Sequence, residues 1–162
     1  MKQLALLDRD GTLIEHIPYL SDPDQVRLLP GTAEGLKSLQ EQGYWLVLVS
    51  NQSGVGRGYF DCGQVEAVNE RMQQLLLAQG IGLDLLLYCP HAPEAACGCR
   101  KPSPGMAEQA MQTLPSTGTG LVVGDSDCDM QLGERLGWPA FRIGQGHFPS
   151  LEQVAEGLLN QA

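Results

Sequence analysis

The chain is built around one run of residues near its start, Leu4-Ala5-Leu6-Leu7-Asp8-Arg9-Asp10-Gly11-Thr12. The apolar residues 4–7 predict a buried strand, and Asp8 stands where that strand ends. Two carboxylates at the mouth of a core strand are costly unless they bind a metal ion or take part in chemistry. Asp8 and Asp10 therefore predict a hard cation with oxygen ligands. A helix cap or a solvated Asp-Gly turn is the alternative interpretation.

Size and composition suggest one domain, residues 1–162, with a sizeable core. The hydrophobic content of 43% and the charged content of 18% are typical of a soluble globular protein. We expect a cytoplasmic protein because Lys2 is followed by only five residues before Asp8, which leaves no secretory leader. No apolar run reaches the length of a membrane span, so we expect no membrane partner, and the small acidic chain favours a monomer.

The formal net charge of −9 argues against nucleic acid as a partner. If the substrate is an anion, the overall field of the protein repels it, and the site that binds it must be locally positive. A metal ion together with one or two Lys or Arg side chains would supply that charge.

Further along the chain, short apolar runs alternate with helical patterns. Strands are predicted at 44–49, 83–88, 121–123 and 140–143, helices at about 30–42, 63–79, 105–114, 130–136 and 151–159, and loops at 11–30, 51–58 and 89–104. Strands that are apolar on both faces and alternate with helices predict an α/β fold, a doubly wound and mostly parallel sheet sandwiched by helices. In the helix at 63–79, Asn69 is predicted on the solvated face.

Polar residues follow three of the predicted strands directly. They are Asp8, Ser50 and Asp125. Ligands of parallel sheets bind beyond the carboxyl ends of the strands, so we expect these side chains to converge. Asp8, Asp10 and Asp125 would repel one another without a divalent cation, and carboxylate with backbone oxygen suits magnesium.

The same edge of the sheet offers hydrogen-bond donors for a phosphoryl group. The Ser50 hydroxyl can donate to a phosphoryl oxygen, as can the backbone N–H groups of Asn51 and Gln52. Lys101 precedes a predicted helix start and can bring its ammonium to the same spot. A metal ion, a lysine and amide donors are the parts that stabilise a transferring phosphoryl group, with either water or Asp8 as the nucleophile.

A second metal site is predicted in the loop at 89–104. Five cysteines, an odd number, do not suggest a disulfide framework. Four soft ligands occur close together in this loop, namely Cys89, His91, Cys97 and Cys99. They match a closed tetrahedral zinc site of the structural kind, and unlinked loop cysteines are the alternative. We expect zinc to fold the loop and to fix Arg100 and Lys101, which follow the last ligand.

Four motifs, in this order, resemble those of the haloacid dehalogenase superfamily of phosphatases. They are Asp8-Arg9-Asp10-Gly11-Thr12, Ser50-Asn51-Gln52, Lys101-Pro102 and Gly124-Asp125-Ser126-Asp127-Cys128-Asp129. The resemblance implies that Asp8 is the nucleophile that forms an aspartyl phosphate and that Asp10 is the general acid and base. It further implies that Asp8, the backbone carbonyl of Asp10 and Asp125 hold magnesium, and that Ser50 and Lys101 stabilise the phosphoryl group.

The surroundings of the cysteines resemble one branch of this superfamily, which holds heptose bisphosphate phosphatases and histidinol-phosphate phosphatases. The stretches that carry this resemblance are Tyr88-Cys89-Pro90-His91, Cys99-Arg100-Lys101-Pro102 and Asn51-Gln52-Ser53-Gly54 with Arg57-Gly58. Chain length and the Arg100-Lys101 pair favour magnesium-dependent hydrolysis of a heptose bisphosphate, a step towards lipopolysaccharide precursors. The alternatives are hydrolysis of histidinol phosphate and a non-catalytic zinc protein that binds a phosphorylated ligand.

The resemblance also implies which residues touch the substrate. His16-Ile17-Pro18-Tyr19 falls in the substrate loop of this branch but keeps only its tyrosine. The residues expected to contact the substrate are His16, Tyr19, Asn51, Gln52, Ser53, Arg57 and Arg100. The chain has no room for a large cap domain, so we expect a minimal cap in which the zinc loop supplies much of the wall. A small phosphorylated metabolite suits such a site, with a phosphoprotein as the alternative.

Overall fold

A parallel sheet of five strands forms the centre of the molecule, and helices pack on both of its faces. The computed structural model describes residues 1–161. In chain order its elements are β1 (Lys2–Leu7), a 3-10 turn (Pro23–Gln25), α1 (Thr32–Glu41), β2 (Tyr44–Asn51), α2 (Cys62–Leu77), β3 (Leu85–Cys89), α3 (Gly105–Thr113), β4 (Ser116–Gly124), α4 (Asp127–Leu136), β5 (Ala140–Arg142) and α5 (Leu151–Leu159). The strand order is β3-β2-β1-β4-β5, and every pairing is parallel, which confirms the predicted fold class.

The buried part of the central strand β1 shows why residues 4–7 are apolar without a break. Ala5 and Leu7 pack into the core formed with α1, α2 and α5, whereas Leu4 and Leu6 pack into the core formed with α3 and α4. All four side chains are fully buried. Residues 4–7 are covered on both faces and include no polar side chain, whereas Lys2 and Gln3 at the exposed start of β1 are polar. Asp8 is the first charged residue after the buried part of the strand.

Several element boundaries differ from the sequence prediction, and the starts of three elements differ for a local reason. Strand β4 begins at Ser116 rather than 121, because its exposed first half is polar and lacks the apolar signal of a buried strand. Helix α4 begins at Asp127 rather than 130, because Ser126 and Asp129 form a capping box at its start. Strand β3 begins at Leu85, because the backbone of Leu83 is hydrogen-bonded by the Gln73 side chain instead of a neighbouring strand.

Strand β2 continues to Asn51, so Ser50 lies inside the strand and not after it as predicted. The extra length comes from pairing with β3, in which Ser50 stands opposite Tyr88 and Asn51 opposite Cys89. Within residues 1–161, none of the helices combines the length and the apolar character that crossing a membrane requires.

Candidate active site

The site lies at the carboxyl ends of β1, β2 and β4, where the polar residues predicted to converge do meet. Asp8 follows β1 directly, and its backbone N–H donates to the carbonyl of Val123 at 3.0 Å. Asp125 follows β4. Between the two, Gly11 has φ +77°, and a Cβ added there would overlap the carboxylate of Asp125. Only glycine lets the loop after β1 turn this close to Asp125.

Lys101 is the central cation of the site. Its Nζ lies 2.9 Å from Oδ1 of Asp8 and 2.6 Å from Oδ1 of Asp129. Lys101 is buried, which lowers its pKa, but the charges of Asp8 and Asp129 outweigh burial and raise the pKa above its ordinary value. Lys101 is therefore a permanent ammonium at the mouth of the sheet, supplied by the loop that follows β3.

The carboxylates around this lysine carry more negative charge than it neutralises. Oxygens of Asp8, Asp125 and Asp129 all lie within 4.8 Å of one another. Burial raises the pKa of Asp8 from 3.8 to about 6, although Lys101 opposes the shift. Burial also raises the pKa of Asp129. Three carboxylates that share one ammonium are the donor set that a divalent cation with oxygen ligands fits.

The carboxylate of Asp10 is held separately from this cluster. It accepts from Nε of Arg9 at 3.3 Å and from Nε2 of Gln52 at 3.0 Å. A second guanidinium nitrogen of Arg9 lies 3.2 Å from the same carboxylate. Gln52 also donates to Oγ of Ser50 at 2.7 Å. Asp10 and Ser50 are thus joined through one buried amide.

Asn51 and Gln52, at the end of β2, make hydrogen bonds that the sequence motif did not predict. The predicted use of the Gln52 backbone N–H for a phosphoryl group is wrong, because that N–H donates to the carbonyl of Cys89 at 2.8 Å. The Asn51 side chain makes two hydrogen bonds with the backbone of Lys101. Its oxygen accepts from the Lys101 N–H at 2.9 Å, and its nitrogen donates to the Lys101 carbonyl at 3.1 Å. Asn51 therefore positions Lys101.

A cavity of about 300 Å³ opens beside Asp10. Five of the residues expected to contact the substrate line it, namely His16, Tyr19, Asn51, Gln52 and Ser53. Tyr19 is an exposed residue with φ 52°, in the left-handed region, and its ring meets that of Tyr59 edge to face at 4.8 Å. Strained backbone of this kind persists where the surroundings enforce it, often at ligand sites.

The two arginines expected at the substrate do not line this cavity. Arg57 is exposed, and its Nε donates to Oγ of Ser53 at 3.3 Å. Arg100 is half-buried beside Lys101, and one of its terminal nitrogens is buried with no hydrogen-bond partner among residues 1–161. A guanidinium nitrogen without an acceptor is costly, so an anion beside Arg100 would be favourable.

The four predicted zinc ligands come together. Sγ of Cys89 lies 3.7 Å from Sγ of Cys97 and 2.9 Å from Sγ of Cys99, and Nδ1 of His91 lies 3.3 Å from Sγ of Cys89. Thiolates bound to one tetrahedral zinc ion are separated by about 3.7 Å, given zinc–sulfur bonds of about 2.3 Å. The Cys89–Cys97 separation matches this value, whereas Cys89 and Cys99 lie closer together than two thiolates on one zinc ion would. Three thiols and one imidazole gathered in one place are the donor set of a zinc site.

One residue near the site was missed by the sequence analysis. Asn69 is not on a solvated face of α2: it is 6% exposed and accepts from a terminal nitrogen of Arg9 at 3.0 Å. The signal was present, because Asn69 follows Val65 by four residues and therefore shares the buried face of α2. An amide on an apolar helix face predicts a buried polar partner.

Comparison with known proteins gives related sequences and structures. The family model described as Polynucleotide kinase 3 phosphatase matches residues 3–131. A D-glycero-beta-D-manno-heptose-1,7-bisphosphate 7-phosphatase of Pasteurella multocida is 44% identical over 142 residues, which cover 83% of this chain and 77% of the relative. The Histidine biosynthesis bifunctional protein HisB of Legionella pneumophila is 34% identical over 166 residues, which cover 100% of this chain and 46% of that protein.

A solved structure is similar over nearly its whole length. The D,D-heptose 1.7-bisphosphate phosphatase from B. bronchiseptica, complexed with magnesium and phosphate, superposes with a TM-score of 0.86 at 31% identity, and the match covers 99% of each chain.

Proposed function

This chain belongs to the haloacid dehalogenase superfamily of phosphatases, in the branch of the heptose bisphosphate phosphatases, and from that premise we propose that it removes the 7-phosphate of D-glycero-D-manno-heptose 1,7-bisphosphate. The observation that carries the proposal is the arrangement of Lys101, which bridges Asp8 and Asp129 at the mouth of the sheet. An ammonium beside a carboxylate nucleophile prepares a place for a phosphoryl group.

In the first step, an oxygen of Asp8 attacks phosphorus while the bond from phosphorus to the sugar oxygen breaks. Asp10 gives its proton to the leaving sugar oxygen. Lys101 and the Ser50 hydroxyl stabilise the charge of the transferring phosphoryl oxygens. The products of this step are the sugar, which now carries a free hydroxyl at that position, and an acyl phosphate on Asp8.

In the second step, water attacks the phosphorus of the aspartyl phosphate, and the bond between phosphorus and the Asp8 oxygen breaks. Asp10 takes a proton from this water and is ready to act as an acid again. Inorganic phosphate leaves, and Asp8 returns to its carboxylate form. Asp10 is suited to both steps because Arg9 and Gln52 hold its carboxylate apart from the Asp8 cluster.

Magnesium completes the proposed site. Asp8, Asp125 and the backbone carbonyl of Asp10 would hold it, and the excess of carboxylate over ammonium supports this assignment. When bound, the ion neutralises charge on the phosphoryl oxygens. The carboxylate of Asp129 then serves chiefly to hold Lys101, which it approaches more closely than Asp8 does.

A structural zinc ion held by Cys89, His91, Cys97 and Cys99 is part of the proposal. The grouping of the four ligand atoms within 4.8 Å of one another supports it, as does the short chain path from the last ligand to Lys101. Thiols of this kind remain reduced in the cytoplasm, where we place the protein as a monomer that acts on a small metabolite.

The sugar is proposed to occupy the cavity that His16, Tyr19 and Ser53 line beside Asp10. Arg57 lies at its rim through the contact with Ser53. Arg100 would reach the far part of the substrate, because it is only half-buried and directly precedes Lys101. A second phosphate on the substrate would be an acceptor for its guanidinium. We propose that the reaction belongs to the route to lipopolysaccharide precursors.

The experiment that tests the proposal measures phosphate release from heptose 1,7-bisphosphate, histidinol phosphate and fructose 1,6-bisphosphate at equal magnesium. We expect the highest kcat/KM on the heptose substrate, with heptose 1-phosphate as the product in the phosphorus NMR spectrum. Histidinol phosphate as the best substrate would overturn the proposed sugar but keep the phosphatase. Release of the 1-phosphate would overturn the proposed position of attack.

A further inference from the structure

Arg9 is a guanidinium buried at the bottom of the active site. It is 1% exposed, and it stands between the two aspartates of the first motif. Its fork faces the carboxylate of Asp10, with Nε 3.3 Å from Oδ2 and a terminal nitrogen 3.3 Å from Oδ1. Two parallel contacts of this kind fix the orientation of a carboxylate better than a single point charge does.

The other terminal nitrogen of Arg9 is held from outside the catalytic loop. It donates at 3.0 Å to Oδ1 of Asn69, which is buried on α2. The two residues are 60 positions apart in sequence. The start of α2 is secured by a capping box between Asp61 and Gln64, and Val65, Val68 and Met72 anchor its inner face in the core. Asn69 therefore offers Arg9 an acceptor on a rigid element.

We propose that Asn69 and Arg9 are positioning residues for the general acid: Asn69 orients Arg9, and Arg9 aims the carboxyl group of Asp10 at the leaving oxygen. This inference rests on the proposed function, because it assigns a cause to the placement of Asp10. The side-chain hydrogen bonds of Arg9 go to Asp10 and Asn69 and not to Asp8, Asp125 or Asp129, so the effect of both residues is on proton delivery rather than on the phosphoryl group.

Loss of the Asn69 acceptor has a specific chemical consequence. A buried guanidinium nitrogen without a partner is costly, so Arg9 turns to find another acceptor and its fork leaves Asp10. A sugar alkoxide or phenolate needs a proton as it departs, whereas 2,4-dinitrophenolate leaves without one. A misdirected Asp10 thus slows phosphoryl transfer from poor leaving groups and spares transfer from good ones.

The experiment compares kcat/KM on phenyl phosphate and on 2,4-dinitrophenyl phosphate for wild type and Asn69→Ala. This parameter reports phosphoryl transfer to Asp8 and excludes the later attack of water. We expect Asn69→Ala to lose about 10- to 100-fold on phenyl phosphate and less than about threefold on the dinitrophenyl ester, since general acid catalysis contributes about 10²–10⁴.

Three further variants make the result decisive. Asn69→Leu keeps the volume without the acceptor and should show the same split if Asn69→Ala does not fold. Asn69→Asp keeps the acceptor oxygen and should restore the wild-type ratio of the two substrates. Glu70→Ala, exposed on the same helix, is the matched control and should change neither rate.

Equal losses on both esters, or no loss on either, would overturn the positioning role. A wild-type enzyme inactive on both esters and on the sugar phosphates would instead refute the proposed function, so the two failures are distinguishable. Circular dichroism melts of each variant show whether the compared proteins are folded.

Discussion

At Asp8, catalysis and stability favour opposite protonation states. Asp8 has to be ionised to attack phosphorus, yet it is buried, and burial raises its pKa to about 6. Lys101 opposes this shift and also pairs with Asp129. At neutral pH the nucleophile is therefore charged, and burial of this one charged carboxylate lowers the free energy of unfolding.

This cost predicts a gain in stability for Asp8→Asn in the magnesium-free, zinc-loaded protein. Because the folded-state pKa of Asp8, about 6, exceeds its ordinary value of 3.8, protonation favours the fold, and stability is lost as pH rises through about 6. At pH 7.5, Asp8→Asn should raise the free energy of unfolding by about 1–3 kcal/mol, at 1.4 kcal/mol per pKa unit. Urea unfolding of both proteins measures this difference in the free energy of unfolding.

The gain should vanish below about pH 4, where Asp8 is protonated in both states. Asp24→Asn, at an exposed position, is the control and should change the free energy of unfolding at neither pH. A destabilised Asp8→Asn protein at pH 7.5 would show instead that the pair with Lys101 dominates over burial.

Asp10→Asn should abolish turnover of sugar phosphates while leaving the fold intact. The amide cannot give or take the proton, so kcat should fall by about 10²–10⁴. Steady-state kinetics measures the loss, and a thermal melt reports the fold. Asp127→Asn is a matched control because the side chain of Asp127 is 81% exposed, and it should keep near-normal rates. Near-normal rates for Asp10→Asn would refute the acid/base assignment.

At the scale of elements, the loop between β3 and α3 joins the predicted zinc site to the catalytic lysine. Cys89 ends β3, the other ligands follow, and Lys101 comes after the last of them. The side chain of Asn51 in β2 is hydrogen-bonded to the backbone of Lys101. The position of the ammonium thus depends on one strand and one loop, and the loop has little core of its own.

Removal of zinc should lower activity through misplacement of Lys101. A zinc-selective chelator in excess magnesium should reduce kcat by about 10- to 100-fold, the size of effect that small displacements cause. Added zinc should restore the rate, and the zinc content of the protein, measured by metal analysis, should rise and fall with kcat. Cys97→Ser should behave like the chelated protein, whereas Cys62→Ser, an exposed cysteine outside the cluster, should not. Full activity of a zinc-free form would contradict the link.

The sequence predicted the type and order of the strands and helices because apolar period and glycine or proline punctuation are local signals. It missed the start of β4, which is polar and exposed, and the start of α4, which a capping box sets. The convergence of Asp8 and Asp125 was predictable from strand ends, and that of Lys101 from its position before a helix start. The partners of Arg9 were not, because Asn69 is distant in sequence and its contact depends on how α2 packs.

For the whole molecule, binding of magnesium couples the site to global stability. An ion that binds only the folded state stabilises it, by about 2.7 kcal/mol at one hundred times its Kd. For a domain of this size we expect Tm to rise by about 5–10 °C. Asp125→Asn should lose the shift and Asp127→Asn should keep it, as differential scanning calorimetry measures. An unchanged wild-type Tm at saturating magnesium would contradict the proposed metal site.

The strand order has a consequence for motion. β1 lies in the middle of the sheet and is paired along its length with β2 and β4, so its amide hydrogens exchange with solvent only when the whole fold opens. His16, Tyr19 and Arg57 lie instead on loops outside the sheet, and their side chains are exposed. The nucleophile is thus fixed to the slowest-exchanging segment of the chain, whereas the residues proposed to contact the sugar stand on segments without that protection.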